Sequence, residues 1–112
     1  LKLILPVLYR FLEPGGDVVA LVKPQFEAGK ENVGKNGIVR DPVIHEAVLV
    51  DIGQFAVNTG FSLHGLDYSP ITGGEGNIEF LLHARKSEGG LTPDAWLKHT
   101  AEVVSAAHRE LK

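Results

Sequence analysis

The run Asp17–Val22, with the sequence DVVALV, constrains the fold more than any other feature of this chain. It is mostly apolar and rich in Val. The turn residues PGG at 14–16 precede it, and Lys23-Pro24 follows it. Proline and glycine on both sides fix the ends of an extended segment. A continuous apolar strand is typical of parallel sheets, in which both faces are covered. The run therefore predicts a strand that is buried on both faces.

Two helix signals flank this strand in the sequence. Leucines recur at helical spacing through residues 3–12, which predicts a short helix. Further on, Asp41-Pro42 supplies an N-cap followed by proline at the first helical position, and Gly60 is a C-terminal stop. Gly53 lies inside this second helix and costs it about 1 kcal/mol relative to Ala. We therefore expect the second helix to depend on tertiary packing.

The rest of the chain divides into a loop, two strands and a last helix. Residues 24–40 are irregular, and residues 61–68 and 77–84 read as strands close enough to pair antiparallel. Residues 91–111 form the clearest helix, which Thr92 caps. Its inward face is predicted to hold Trp96, Thr100, Val103, Val104, Ala107 and Leu111. The order predicts the second half of a doubly wound α/β sheet, mostly parallel with one antiparallel edge strand.

Composition excludes several classes of protein. The chain has 112 residues, of which 44% are hydrophobic and 22% charged, so it is one globular domain or part of one. A net charge of −3 argues against binding nucleic acid over the whole surface, but not against a local basic patch. There is no Cys, which excludes disulfides and thiolate metal sites and is compatible with a cytoplasmic location. No apolar run reaches the roughly 20 residues of a membrane helix.

Lys23 and Glu79 are the candidate catalytic residues. Lys23 directly follows a predicted buried strand, and ligands of open α/β sheets bind beyond the carboxyl ends of strands. Partial desolvation there favours the neutral amine that acts as a general base. Glu79 lies among apolar residues, where a carboxylate needs a partner such as Lys23. The alternatives are a Lys23 side chain that only reaches from the sheet end to water, and a Glu79 that faces solvent on an edge strand.

Other polar features carry less information. Lys30, Lys35 and Arg40 lie in the irregular loop and are candidate phosphate contacts, although acidic residues are interspersed with them. The glycine-rich segment 71–77 is neither a Walker loop nor a dinucleotide fingerprint, so a hairpin turn is the simpler interpretation. The five His residues have no metal-binding spacing, so we expect surface or half-buried side chains and no metal.

Two longer motifs resemble the central signature of the TlyA family. The first is LVKPQFE at 21–27, followed by GK at 29–30 and GIVRDP at 37–42. The second is SPITGGEGNIEF at 69–80, and the similarity extends over roughly residues 1–84. The family joins a small RNA-binding domain to an FtsJ-like methyltransferase domain with a Rossmann-like sheet. The resemblance implies that residues 1–112 are the C-terminal part of that methyltransferase domain.

The resemblance also implies an activity: transfer of a methyl group from S-adenosylmethionine to a ribose 2′-hydroxyl of ribosomal RNA. FtsJ-like enzymes use a Lys-Asp-Lys-Glu tetrad, in which Lys23 matches the second Lys and Glu79 the Glu. The first Lys, the Asp, the glycine-rich cofactor loop and the RNA-binding domain have no counterpart here. We therefore expect a fragment that is inactive alone, holds no cofactor-binding residues, and pairs its exposed sheet edge with another chain, for instance as a homo-oligomer.

Two alternatives to a methyltransferase fragment remain. The family's historical name suggests a membrane-active hemolysin, but no segment has the strongly basic amphipathic face or the length that membrane activity requires. The other alternative is an RNA-binding module that kept the fold and lost catalysis.

Overall fold

The computed structural model of the chain describes residues 1–34, 37–73 and 76–111. A short 3-10 turn, Lys30–Asn32, follows the second helix. The helices and strands are, in chain order, α1 (Leu5–Phe11), β1 (Asp17–Val22), α2 (Pro24–Glu27), α3 (Pro42–Thr59), β2 (Ser62–Tyr68), β3 (Phe80–Arg85) and α4 (Pro93–Glu110).

The sheet has the strand order β1-β3-β2, and both pairings are antiparallel. The predicted pairing of the last two strands is confirmed, but the prediction of a mostly parallel sheet with one antiparallel edge strand is wrong. Strand β3 lies between β1 and β2 and is antiparallel to both. The two strands that run in the same direction, β1 and β2, are therefore not neighbours. Sequence proximity predicted the pairing of β2 with β3, whereas the pairing of β1 with β3 spans more than 50 residues and has no local signal.

Strand β1 alternates between a covered and an open face, so the prediction of burial on both faces is also wrong. Ala20 and Val22 are buried, whereas Val19 is 69% and Leu21 42% exposed. Leu81 of β3 pairs with Leu21 and is also exposed. Val19 and Leu21 therefore form an open apolar stripe with Leu81, because the core cluster lies on the other side of the sheet.

Helices α3 and α4 cover the buried face of the sheet, and Gly53 lets them approach each other. A Cβ on Gly53 would collide with the indole nitrogen of Trp96 on α4. That nitrogen instead donates a hydrogen bond of 3.2 Å to the carbonyl of Leu49 on α3. The contact offsets the low helix propensity of Gly53 with interhelical packing. That α3 depends on this packing stays a prediction.

The predicted helix caps are confirmed. The Asp41 side chain accepts from the Val43 amide at 2.9 Å, and the Thr92 hydroxyl accepts from the Ala95 amide at 3.2 Å. Gly60 ends α3. Five of the six predicted inward residues of α4 are buried, and Leu111 is partly buried. Helix bounds were predictable because capping and helical periodicity are local properties of the sequence.

Candidate active site

The register of the sheet places Lys23 and Glu79 at the same end. Val22, the last residue of β1, pairs with Phe80, the first residue of β3. Extending this antiparallel register by one residue sets Lys23 opposite Glu79. Ser69, which follows β2, joins the same end through its amide, which donates to the Glu79 carbonyl at 2.8 Å. Both sequence-predicted catalytic residues therefore lie at one edge of the sheet.

Lys23 and Glu79 form no ion pair in the part of the chain that the structure describes. The ammonium nitrogen of Lys23 lies 5.7 Å from the centre of the Phe26 ring, and no hydrogen-bond acceptor among the described residues contacts it. The side chain is half-buried. The predicted direct partnership is thus not formed, although the backbone register brings the two residues together.

The Glu79 carboxylate is enclosed, with only 7% of the residue exposed. One of its oxygens accepts a hydrogen bond of 2.9 Å from the Gln25 amide nitrogen. The same oxygen also lies close to Gly73, where an added Cβ would collide with it. The alternative of a solvent-facing Glu79 on an edge strand is wrong, because Glu79 is buried directly before the central strand β3. Gly73 therefore has a steric role beyond forming a turn.

Sequence reasoning missed Gln25. It lies on α2 two residues after Lys23, and its amide carbonyl oxygen is buried with no hydrogen-bond partner among the described residues. Gln25 lies within the motif LVKPQFE, but neither its spacing nor its residue type singled it out as a site residue. Only the tertiary contact with Glu79, which is 54 residues away in sequence, identifies it.

Asn77 ties the loop before α3 to the segment that carries Glu79. Its side-chain oxygen accepts from the Val39 amide at 2.9 Å, and its side-chain nitrogen donates to the Gly37 carbonyl at 2.9 Å. Asn77 is 3% exposed, so both bonds form out of water. The Asn77 amide thus pairs with a backbone N–H and a backbone carbonyl, and so holds the end of the loop beside the site.

A pair of histidines holds the same loop from the other side. His45 is fully buried, which corrects the expectation that all histidines are surface or half-buried. Its Nε2 lies 2.9 Å from the Val39 carbonyl, and its Nδ1 lies 2.7 Å from Nε2 of His108. A carbonyl only accepts, so Nε2 of His45 carries the proton and Nδ1 accepts from His108. Burial, and next the neighbouring His108, lower the pKa of His45 to about 4.

Burial also lowers the pKa of His108. Among the described residues, no group of three or more His, Cys, Asp or Glu side chains is arranged to hold a metal ion. The two histidines therefore form a neutral hydrogen-bonded pair. The His45 ring packs against the ring of Phe80, with 5.6 Å between the two ring centroids.

The cations of the loop are distributed around the site. Lys30 lines a shallow groove together with Gln25, Phe26, Gly29 and Val33. Phe26 is 75% exposed, and it is a second residue that sequence reasoning missed. Arg40 lines another groove, which includes Ile78 and His108. Lys35 lies outside the described residues.

Asp17 makes the clearest charged contact on the open face of the sheet. Its carboxylate accepts from His83 and from Arg85, each at 2.8 Å. The hydrogen bond from His83, and next that from Arg85, hold the pKa of Asp17 below its usual value. These three side chains belong to the strand ends opposite Lys23 and do not take part in the candidate site.

Comparison with known proteins identifies the family. The sequence profile of the FtsJ-like methyltransferases matches residues 4–86, and the chain belongs to this family. It is 53% identical over 116 aligned positions to the Bacillus subtilis protein YqxC, which covers all of this chain and 40% of YqxC. It is 38% identical over 85 positions to the 16S/23S rRNA (cytidine-2′-O)-methyltransferase TlyA of Mycobacterium tuberculosis, covering 76% of this chain and 32% of TlyA.

Solved structures support the same relationship. A Streptococcus thermophilus protein named as a hemolysin is 55% identical and superposes with a TM-score of 0.88 over 97% of this chain and 38% of that protein. One from Lactococcus lactis, also named as a hemolysin, is 47% identical with a TM-score of 0.74, over 87% of this chain and 49% of that protein. The chain thus spans less than half the length of these relatives. None of the helices that the structure describes is long and apolar enough to cross a membrane.

Proposed function

We propose that this chain is the carboxyl-terminal part of the catalytic domain of an S-adenosylmethionine-dependent ribosomal RNA ribose 2′-O-methyltransferase. The observation that carries the proposal is the register that sets Lys23 opposite an enclosed Glu79 at one end of the sheet. Relatives named as rRNA (cytidine-2′-O)-methyltransferases, from Mycobacterium tuberculosis and Campylobacter jejuni, support the substrate class.

In this proposal Lys23 acts on the proton of the ribose 2′-hydroxyl. A half-buried lysine with no hydrogen-bond acceptor in the described structure has its donors and, once neutral, its lone pair available to a substrate. Glu79, opposite Lys23 in the extended register of β1 and β3, supplies a fixed negative charge near the lysine. Its position is set by Gln25 and by the close approach of Gly73, so the carboxylate needs no rearrangement when substrate binds.

The RNA would approach over the loop between β1 and α3. Lys30 and Arg40 are exposed cations at the two grooves that border the site, and they would contact phosphates together with Lys35. Phe26 offers an exposed aromatic face beside Lys23, on which an unstacked base can rest. This surface is small and local, which agrees with the net charge of −3.

S-adenosylmethionine would supply the methyl group. Its site does not fit the residues of this chain alone, because no glycine-rich strand-to-helix loop occurs in residues 1–34, 37–73 and 76–111. We therefore assign no cofactor-binding residue here. The cofactor would be held by regions corresponding to the part of YqxC that this chain does not cover.

The test uses a chimeric enzyme in which this chain replaces the matching 40% of YqxC. Methyl transfer from radiolabelled S-adenosylmethionine to ribosomal RNA is measured for the chimera and for its Lys23→Met variant. The matched control is Lys98→Met, which removes an exposed lysine on α4. We expect transfer by the chimera and the control, and none above background with Lys23→Met.

The same proteins test the two alternatives. Erythrocyte lysis that is independent of Lys23, with no methyl transfer, would favour the hemolysin that the name of the Brachyspira hyodysenteriae relative suggests. RNA binding without methyl transfer by the chimera, while YqxC itself transfers methyl groups, would favour a non-catalytic binding module.

A further inference from the structure

Gln25 is held in one orientation by its contact with Glu79. The amide nitrogen lies 2.9 Å from a carboxylate oxygen of Glu79. An ionised carboxylate only accepts hydrogen bonds, so the nitrogen must face it and the amide oxygen must point elsewhere. That oxygen is buried and accepts no hydrogen bond within the described residues. Leaving a buried acceptor unpaired is costly, which indicates that a donor belongs beside it.

Lys23 is the donor whose position fits. It is the N-cap residue of α2, the same short helix that carries Gln25. The register places it opposite Glu79, the other partner of Gln25. Its ammonium contacts the Phe26 ring at 5.7 Å and accordingly retains its hydrogen-bonding capacity. A cation–π contact at an exposed site is weaker than a charged hydrogen bond, so the Lys23 side chain can leave the ring for an acceptor.

We propose that Gln25 is a positioning residue whose amide bridges Glu79 and Lys23. Its nitrogen donates to the Glu79 carboxylate, and its oxygen accepts from the Lys23 nitrogen when that side chain turns from the Phe26 ring toward the site. The bridge would connect two oppositely charged residues that form no direct ion pair within the described structure. It transmits the orientation of the carboxylate through a neutral group. The inference rests on the proposed function, because it assigns Gln25 a role in placing the lysine that acts on the hydroxyl.

The first test is Gln25→Met in the chimeric enzyme. Methionine has a similar length and volume but offers neither an amide donor nor a strong acceptor. We expect kcat to fall by up to about a hundredfold, as misplacement of a reacting group does, while KM for RNA and for S-adenosylmethionine stays unchanged. The melting temperature is measured in parallel, because the variant removes an unpaired buried acceptor but also leaves the enclosed Glu79 carboxylate without its amide donor. The matched control is Gln54→Met on α3, an exposed glutamine that bonds only Asn58 and should leave kcat unchanged.

The second test is Gln25→Glu, which keeps an acceptor for Lys23 but sets a second carboxyl group against Glu79. Two carboxyls at hydrogen-bond distance share a proton, and sharing restores the donor toward Glu79. We therefore expect the ratio of variant to parent activity to rise as the pH falls from 8 to 6, which a purely structural defect would not produce.

The outcomes separate this inference from the proposed function. Inactive Lys23→Met together with fully active Gln25→Met would overturn the bridge and leave the methyltransferase proposal intact. An activity ratio for Gln25→Glu that does not change between pH 8 and 6 would also overturn it. Full activity of Lys23→Met would refute both proposals at once.

Discussion

Two strands of the sheet are followed directly by a lysine, and the two lysines are held in different ways. Lys86, after β3, donates to the carbonyls of Tyr9 and Leu12 at 2.7 and 2.8 Å and lies 4.5 Å from the centre of the Tyr9 ring. Lys23, after β1, contacts only the Phe26 ring within the described structure, at 5.7 Å. Since β1 and β3 are antiparallel, the lysines lie at opposite ends of the sheet.

The difference separates a structural charge from an available one. The hydrogen-bonding capacity of Lys86 is used to satisfy the carbonyls at the end of α1, which a helix leaves without intrahelical partners. Lys23 keeps its hydrogen-bonding capacity at the end of the sheet where the Glu79 carboxylate is enclosed. Position after a strand is therefore not sufficient evidence of function, and the state of the hydrogen bonds decides between the two roles.

The largest expected effect tests whether Lys23 acts as a base or only as a charge. Lys23→Arg keeps the positive charge, but a guanidinium does not lose its proton in a protein. We expect a loss of about 10²- to 10⁴-fold in kcat of the chimeric enzyme, the usual contribution of general acid–base catalysis. Activity within about threefold of the parent would instead assign Lys23 an electrostatic or orienting role.

Acid should destabilise the fold through His45, away from both lysines. Its pKa is lowered by burial from 6.5 to about 4, so the unfolded chain binds more protons than the folded one between these values. The stability is then fully present above about pH 6.5 and is lost as the pH falls toward about 4, by about 3 kcal/mol. His108 acts in the same direction.

Denaturant unfolding of the chimera at several pH values measures this slope. His45→Gln is the matched variant, because an amide can donate to the Val39 carbonyl and accept from His108 without titrating. Its stability should depend less on pH over this range. An unchanged slope would show that another group is responsible.

Replacement of Lys86 should lower stability and leave the chemistry intact, the reverse of the result at Lys23. Lys86→Met removes the charged donor from two carbonyls at the end of α1, with an expected loss of about 2 kcal/mol. Thermal or denaturant unfolding measures the loss, and kcat at a temperature well below the transition measures the chemistry. A fall in kcat without a fall in stability would remove the distinction between the two lysines.

The smallest effect concerns the ring that Lys23 contacts. If a base stacks on this exposed ring, Phe26→Ala should lose about 1–2 kcal/mol of stacking free energy. KM for RNA should then rise roughly five- to thirtyfold. Phe26→Trp should retain the affinity, since stacking needs only an aromatic face. A change in kcat with KM unaltered would mean that the ring positions Lys23 instead of the RNA.

Lys23 and Glu79 were identifiable as candidates because a charge next to apolar strand residues is visible in the sequence. Gln25 and Phe26 were not, because the role of Gln25 comes from its contact with the distant Glu79 and that of Phe26 from the exposure of its ring beside Lys23. The steric role of Gly73 likewise follows from the approach of a carboxylate that is close only in three dimensions. Pairing of the outer edge of β1 with another chain stays a prediction, since it depends on surfaces beyond this chain.

The sequence by itself determined helices α1, α3 and α4, the caps of α3 and α4 and the extent of β1, because hydrogen bonds and periodicity within a few residues control them. It also determined the pairing of β2 with β3, since the two strands are close along the chain. It did not predict α2, which lies in the segment expected to be irregular. Only the tertiary structure decided that β3 lies between β1 and β2, that one face of β1 is open, and that His45 is fully buried. These properties depend on contacts between distant segments, and no local pattern encodes which distant segment will supply the partner.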